Sequence, residues 1–213
     1  DALLWTANRH MLWGAPSGEL TLPGNAGTSH APRSSAVWTS AAPRNAEVSL
    51  TSGFLPGGLG LRGVDNRRLA LITCHRRENW GRKLDGIAHA VASLCARHPE
   101  VDFVWPLHPN PAIREAVAPI LGDISNAHLL DSLPYPQFVS LLFHATLALS
   151  DSGGLQEEAP SLGTPVLVLR DNTERSEGIS AGCAKLIGTD PAGIVAETSR
   201  LLTDDIALSS MRD

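Results

Sequence analysis

The sequence predicts an α/β fold: a Rossmann-like parallel sheet with helices on both faces. From residue 67 onward, short apolar runs alternate with longer amphipathic stretches, which is the order typical of βαβ units. The apolar runs contain few polar residues, as strands buried on both faces do. Hydrophobic residues make up 43% of the 213-residue chain and charged residues 18%, so there is enough apolar material for a packed core.

Each strand is predicted from a short apolar run bounded by polar residues, Gly or Pro. The run LALIT, for example, precedes the polar turn HRREN, and LALS precedes DSGG. In chain order, the predicted strands cover residues 67–74, 101–105, 127–130, 146–150, 165–169 and 184–187.

The helices are predicted from apolar spacing and from their first residues. Between the first two strands, Leu84, Ile87 and Val91 fall on one helical face. In the next helix Asn110 is placed to cap the amino terminus, with Pro111 at the first helical position. In chain order, the predicted helices cover residues 82–97, 110–121, 135–145, 153–163 and 190–204.

The chain divides in composition near residue 66. Residues 9–60 contain no Lys, Asp, Ile or Tyr and show no helical or strand period, so we expect an irregular or aberrant segment there. An insertion and an out-of-frame stretch both fit that composition. Residues 67–213 are expected to form one domain.

The overall composition argues against several classes of partner. The net charge of −5 disfavours nucleic acid as the main partner. No apolar run approaches the roughly 20 residues of a membrane span, so no membrane partner is expected. Three scattered cysteines predict neither a metal site nor a disulfide framework, and they favour the reducing cytoplasm.

Ligands of parallel α/β sheets bind beyond the carboxyl ends of the strands. That rule selects the turns that follow Cys74, Trp105, Ser150 and Leu169, all rich in polar residues. In the turn DSGG, Gly153 and Gly154 would let a phosphate approach the free N–H groups at a helix start. A simple helix cap by Ser152 explains the same residues without a ligand.

The turn HRREN offers a second candidate group. His75 stands at the mouth of the first strand, where an imidazole suits proton transfer or hydrogen bonding near neutral pH. Arg76 and Arg77 are able to pair with a diphosphate or with Glu78. A surface ion-pair turn is the alternative, and such pairs contribute little stability.

Three further residues have ordinary structural explanations as well. His108 precedes a good helix start, Phe138 suits a core position, and Arg175 could pair with Glu174 or Glu177 at the surface.

Taken together, the turns resemble the C-terminal domain of the non-hydrolysing UDP-N-acetylglucosamine 2-epimerases. The motifs HRRENWG, HPNP, SDSGGLQEEAPSLGTPVLVLRD and TERSEG carry the resemblance, in this order, over about residues 67–213. It implies one half of a glycosyltransferase-B architecture, in which the UDP-sugar lies between two Rossmann-like domains. Residues 1–66 are then expected to hold a remnant of the interdomain connection, and the sequence is expected to be truncated.

The resemblance also implies a reaction. UDP is eliminated across C1–C2 of UDP-N-acetylglucosamine and is added back to the glycal, giving UDP-N-acetylmannosamine for surface polysaccharide. The expected partner is a UDP-sugar, with no cofactor, no metal and a homodimeric full-length protein. A hydrolysing relative that releases UDP and free sugar is an alternative, as is a UDP-sugar-binding module without turnover.

The family pattern assigns roles residue by residue. His75 is the implied catalytic residue, and Glu158 is implied to bind the ribose hydroxyls, while Glu157 is expected to be solvated. Leu133 stands at a position that contacts uracil, and Cys74 replaces the usual small residue. The implied substrate-binding residues are Ser152, Gly153 and Gly154 at the diphosphate, Phe138 at uracil, Arg175 at the diphosphate or sugar, and His108 and Arg76.

Overall fold

The computed structural model describes residues 67–212 and contains a six-stranded sheet in which every strand pair is parallel. This confirms the predicted fold class. The strands are Arg68–Thr73 (β1), Val101–Pro106 (β2), Ala127–Leu130 (β3), Leu147–Ser150 (β4), Val166–Val168 (β5) and Ala184–Leu186 (β6).

Helices follow the strands and bring the chain back to the end of the sheet at which the next parallel strand begins. They are Arg82–Arg97 (α1), Pro111–Leu121 (α2), Tyr135–His144 (α3), Gly153–Ser161 (α4), Ser176–Ser180 (α5), Pro191–Thr203 (α6) and Asp205–Ser210 (α7). A single 3-10 turn, Arg77–Asn79, lies between β1 and α1.

The strand order is β3-β2-β1-β4-β5-β6. The chain first builds outward from β1 to β3 and then crosses back to lay β4 on the other side of β1. The order therefore reverses between β1 and β4, and the helices that follow these two strands leave a crevice at their carboxyl ends.

The core has two layers because side chains of a strand alternate between the faces of the sheet. Ala70 and Ile72 of β1 join a cluster formed with α1, α2, α6 and α7. Leu69 and Leu71 join a second cluster formed with α3 and α4. The apolar runs of the sequence are thus buried on both sides, which explains their lack of polar alternation.

The predicted elements agree with the structure to within one or two residues at most ends. Asn110 does cap α2, since its side chain accepts a hydrogen bond from the Ala112 N–H at 3.1 Å. The prediction that the helix at 190–204 is the last one is wrong, because α7 follows it at once, capped by Asp204. Helix α5 was not predicted either, because its five residues include no buried side chain and so show no apolar period.

The domain boundary near residue 66 and the irregular segment 9–60 lie outside the described residues. Within residues 67–212, no helix has the length and apolar character needed to cross a membrane.

The amino-terminal cap of α6 gives a direct test of helix stability. The Asp190 carboxylate accepts a hydrogen bond from the Gly193 N–H at 2.9 Å. Asp190→Ala should lower the free energy of unfolding by about 1 kcal/mol, because it removes the acceptor of an otherwise unpaired N–H group. Asp190→Asn retains an acceptor oxygen and serves as the control in urea denaturation. Equal losses in the two variants would contradict the capping role.

Candidate functional site

The carboxyl ends of β1 and β4 are joined by a short chain of hydroxyl and amide groups. Thr73 and Ser150 are register partners, and their hydroxyl oxygens lie 2.7 Å apart. The Ser150 hydroxyl also accepts a hydrogen bond from the Ser152 N–H at 2.9 Å. The strand pairing therefore fixes where the turn into α4 begins.

Asp151 lies between these strand ends and is completely buried. One of its oxygens, Oδ2, accepts hydrogen bonds from the Arg76 N–H and from the Asn79 side-chain amide, both at 2.9 Å. The His75 N–H is 3.1 Å from each carboxylate oxygen. A buried charge needs such compensation, and here all of it comes from the turn after β1. Asp151 thus binds the turn after β1 to the turn after β4.

The Cys74 thiol adds another donor to the same carboxylate. Its sulfur lies 3.3 Å from Asp151 Oδ2. Burial raises the pKa of the Cys74 thiol far above its usual value, and the negative charge of Asp151 raises it further. The thiol is therefore protonated near neutral pH and donates to the carboxylate, with little of the thiolate that would make it reactive.

The His75 ring lies against the buried carboxylate at one nitrogen. Its Nδ1 atom is 3.4 Å from Asp151 Oδ1, while 45% of the side chain is exposed. A carboxylate beside Nδ1 favours a proton on that nitrogen, which leaves Nε2 as the nitrogen available to a ligand.

The first turn of α4 lies beside Arg76 and Arg175 and has an anion-binding geometry. The Ser152 hydroxyl accepts from the Leu155 N–H at 3.4 Å, so the predicted cap is present. A methyl group built on Gly153 would lie 3.6 Å from both Arg175 Nε and Arg76 Nη2. Two guanidinium groups thus flank a helix amino terminus, where the dipole also favours negative charge.

The acidic neighbour of Arg175 differs from the expectation, whereas Arg76 lies near Glu78 as the sequence suggested. Arg175 forms an ion pair with Glu157, not with Glu174 or Glu177, and Glu157 is therefore not simply solvated. Arg76 lies 3.9 Å from Glu78 through its guanidinium group. Helical geometry explains the first pair, because Glu157 stands one turn beyond Gly153, beside the arginine.

Glu158 faces the neighbouring helix rather than the arginines. Its carboxylate is hydrogen-bonded to the hydroxyl of Tyr135, the first residue of α3. Partial burial raises the pKa of Glu158 above its usual value, and the hydrogen bond from Tyr135 opposes that rise. The contact links the first residue of α3 to the second half of α4.

Of the remaining predicted residues, Leu133 and His108 lie on turns and Phe138 lies in α3. Leu133 and Phe138 are partly buried against the cluster under α3 and α4. His108 is exposed after β2, and its Nδ1 accepts the Asn110 N–H at 3.1 Å within its own turn. His108 is therefore engaged in the helix start that its sequence context predicted.

The sequence analysis missed Asp151, Asn79 and Tyr135. Asp151 was visible as an acid directly after a buried strand, but its contacts come from residues 74–79, far away in sequence.

The described residues contain no group of three His, Cys, Asp or Glu side chains placed to hold a metal ion.

Comparison with known proteins identifies the relatives of this fold. The family model described as UDP-N-acetylglucosamine 2-epimerase matches residues 50–213. The chain belongs to the UDP-N-acetylglucosamine 2-epimerase family. The match begins inside the segment 9–60, so residues 50–60 fall within the region of family similarity. The resemblance seen over residues 67–213 is confirmed.

Individual epimerases agree with the family assignment. The chain is 49% identical over 146 residues to the UDP-N-acetylglucosamine 2-epimerase of Escherichia coli K12, covering 68% of this chain and 39% of that protein. A Neisseria meningitidis UDP-GlcNAc 2-epimerase solved with UDP-GlcNAc is 42% identical with a TM-score of 0.68, covering 70% of this chain and 40% of that one. A Staphylococcus aureus protein solved with UDP is 38% identical with a TM-score of 0.67, covering 68% and 40%. The chain thus spans about 40% of the length of these relatives.

Replacing the buried carboxylate should destabilise the fold. In Asp151→Asn an amide nitrogen takes the place of one acceptor oxygen, so the buried donors of the turn after β1 keep one acceptor oxygen instead of two and lose the negative charge they surround. We expect the free energy of unfolding to fall by about 1–3 kcal/mol. Asp171→Asn is the matched control, because Asp171 forms an exposed ion pair with Lys83 at 3.0 Å and should cost at most about 1 kcal/mol. Urea denaturation measures both. A loss in Asp151→Asn no larger than the control would disprove the central role of Asp151.

Proposed function

We propose that the described domain binds the UDP portion of UDP-N-acetylglucosamine and that the protein acts in 2-epimerisation of this sugar. The observation that carries the proposal is the convergence of Arg76, Arg175 and the first turn of α4 on Gly153. This group lies where the strand order reverses, the usual ligand position of such sheets. The Neisseria relative was solved with UDP-GlcNAc, which supports the choice of ligand.

The diphosphate is assigned to the turn Ser152–Gly154. Its backbone N–H groups and the dipole of α4 favour an anion, and the two guanidinium groups add charge-assisted hydrogen bonds. Gly153 matters sterically, because any side chain there would occupy the space between Arg76 and Arg175.

The nucleoside is assigned to the surface between α3 and α4. Glu158 is a hydrogen-bond acceptor when ionised and is able to take both ribose hydroxyls. Phe138 and Leu133, partly buried below that surface, supply apolar contact for uracil. His108, on the turn after β2, is assigned to the same substrate-binding edge.

The chemistry explains why the diphosphate needs this many contacts. The C2 proton of the sugar has no adjacent carbonyl to acidify it, so the proposed route eliminates UDP and adds it back to a glycal. Cations and N–H groups stabilise the charge of the departing diphosphate. His75, with Asp151 beside Nδ1 and 45% of its side chain exposed, is left with Nε2 for a ligand and is the proposed catalytic residue of this domain.

A chimera tests the proposal in a complete enzyme. Residues 67–213 would replace the matching part of the E. coli epimerase, and the products formed from UDP-N-acetylglucosamine would be separated. UDP-N-acetylmannosamine supports epimerisation. Release of UDP and free N-acetylmannosamine would indicate the hydrolysing alternative. A folded chimera that binds UDP without turnover would indicate a binding module.

We also propose a cytoplasmic location and a homodimeric full-length protein. The three cysteines are unpaired, and two of them are buried, which fits a reducing compartment.

The pKa of Glu158 gives a pH-dependent test of the ribose assignment. Only the ionised carboxylate accepts both hydroxyls, so the preference for UDP over 2′,3′-dideoxy-UDP should be complete above the raised pKa and lost as the pH falls through it. Tyr135→Phe removes the hydrogen bond that lowers this pKa. The midpoint of the loss should therefore move to higher pH.

Calorimetric titrations with both ligands measure that preference. Both ligands carry the same phosphates, so protonation of the phosphates changes both affinities equally and does not change their ratio. Glu158→Gln should abolish the pH dependence and reduce the preference by about tenfold or more. A preference that persists unchanged in Glu158→Gln would refute the ribose assignment.

A polypeptide of these 213 residues should bind UDP but exchange the C2 proton of the sugar very slowly. The acids nearest the crevice are engaged, because Asp151 is buried and Glu157 is paired with Arg175. Loss of positioned acid and base groups costs about 10²–10⁴-fold each. NMR in deuterated water measures the exchange. A rate on the order of 1 s⁻¹ or faster would show that the described domain holds the proton-transfer groups itself.

A further inference from the structure

We infer that Gln156 and Thr173 are positioning residues that hold Arg175 in place for an anionic ligand at the first turn of α4. Neither residue carries a proposed contact with substrate. The inference rests on the proposed diphosphate site and adds to it the means by which one of its two arginines is oriented.

Gln156 is the starting point because it is a buried polar side chain, with only 2% of its surface exposed. Its Nε2 donates to the carbonyl oxygen of Ser152, the cap of α4, at 3.1 Å. Its Oε1 accepts a hydrogen bond from the Thr173 hydroxyl at 2.8 Å. The amide thus connects the diphosphate turn to the loop that follows β5.

The donor and the acceptor of each hydrogen bond that connects Ser152, Gln156, Thr173 and Arg175 are determined. The Ser152 carbonyl is only an acceptor, so the nitrogen of the Gln156 amide must face it and the oxygen must face Thr173. Thr173 therefore donates its single hydroxyl proton to Gln156. Its oxygen keeps a lone pair for the Arg175 N–H, which lies 3.1 Å away. The backbone of Arg175 is thereby tied to the start of α4.

A second contact holds the other side of the arginine. A methyl group built on Gly178 would lie 3.3 Å from the Gln156 carbonyl oxygen and 3.3 Å from Ala184 Cβ. Glycine thus lets α5 lie directly against α4 at Gln156. Arg175 stands between Thr173 and α5, so its backbone is bracketed by two contacts that both end on Gln156.

These two contacts on either side of Arg175 affect ligand binding. An exposed arginine on an unanchored loop must be ordered when it meets a phosphate, and that ordering opposes binding. Here the backbone of Arg175 is already held, and the guanidinium lies beside Gly153. Removing the Thr173 hydroxyl should therefore weaken binding of the diphosphate and leave the nucleoside contacts unchanged.

Two substitutions of Thr173 separate the hydroxyl from side-chain shape. Thr173→Val keeps the shape and removes the hydroxyl, whereas Thr173→Ser keeps the hydroxyl. In the 213-residue chain, calorimetry should show UDP affinity about fivefold to tenfold lower in Thr173→Val and near wild type in Thr173→Ser. Uridine affinity should be unchanged in both. In an Arg175→Gln background, Thr173→Val should have no further effect on UDP affinity.

Hydrogen exchange of the Arg175 amide tests the anchor without ligand. By NMR, Thr173→Val should accelerate that exchange, and Thr173→Ser should not. Unchanged exchange together with unchanged UDP affinity overturns the inference, as does an equal loss of UDP and uridine affinity. Wild-type chain that fails to bind UDP overturns the proposed function instead. Faster exchange in Thr173→Val, combined with that failure, would retain the anchor and remove its proposed ligand.

Discussion

The site depends on one buried carboxylate. Asp151 has no exposed surface, and the groups that compensate its charge come from the turn after β1. Burying an unpaired carboxylate would cost several kcal/mol, so the two turns are stable only together. His75 is one of these donors through its N–H, and Ser152 follows Asp151 in the chain. The distance between the proposed catalytic imidazole and the proposed phosphate turn is therefore fixed by the same interaction that joins the turns after β1 and β4, where the strand order reverses.

From this centre, short hydrogen bonds extend outward in one direction. The strand pairing of Thr73 and Ser150 places the Ser152 N–H, and the Ser152 carbonyl then receives the Gln156 amide. The first of these hydrogen bonds joins two side chains and the others join a side chain to the backbone. The outermost group, the Arg175 guanidinium, is exposed, yet its backbone position is set by buried polar atoms that begin at the sheet.

The sequence predicted the sheet well because burial on both faces leaves a signal inside each strand and helix. Leu69, Leu71 and Ile72 are all apolar although they lie on both faces of the sheet, so the sequence of β1 alone predicted a buried strand. Asp151 was different, since an acid after a strand has the same local sequence whether it is buried or solvated. Its burial follows from donors more than seventy residues away, at Arg76 and Asn79. Glu157 was assigned to solvent for a similar reason, because its partner Arg175 arrives from another loop.

The acids around this anion site fall into two physical kinds. Glu157 pairs with Arg175 at the surface, where an ion pair contributes at most about 1 kcal/mol, whereas Glu78 lies 3.9 Å from Arg76 and 3.5 Å from the mostly buried Arg170. A phosphate is able to displace an exposed carboxylate such as Glu157 at small cost, so Glu157 holds Arg175 near Gly153 without closing the proposed site. Asp151 cannot be displaced, because its donors are backbone and amide groups buried with it. Negative charge beside the proposed phosphate site thus has two roles: an exposed acid is an exchangeable counterion, and the buried acid shapes the turn that is proposed to receive the ligand.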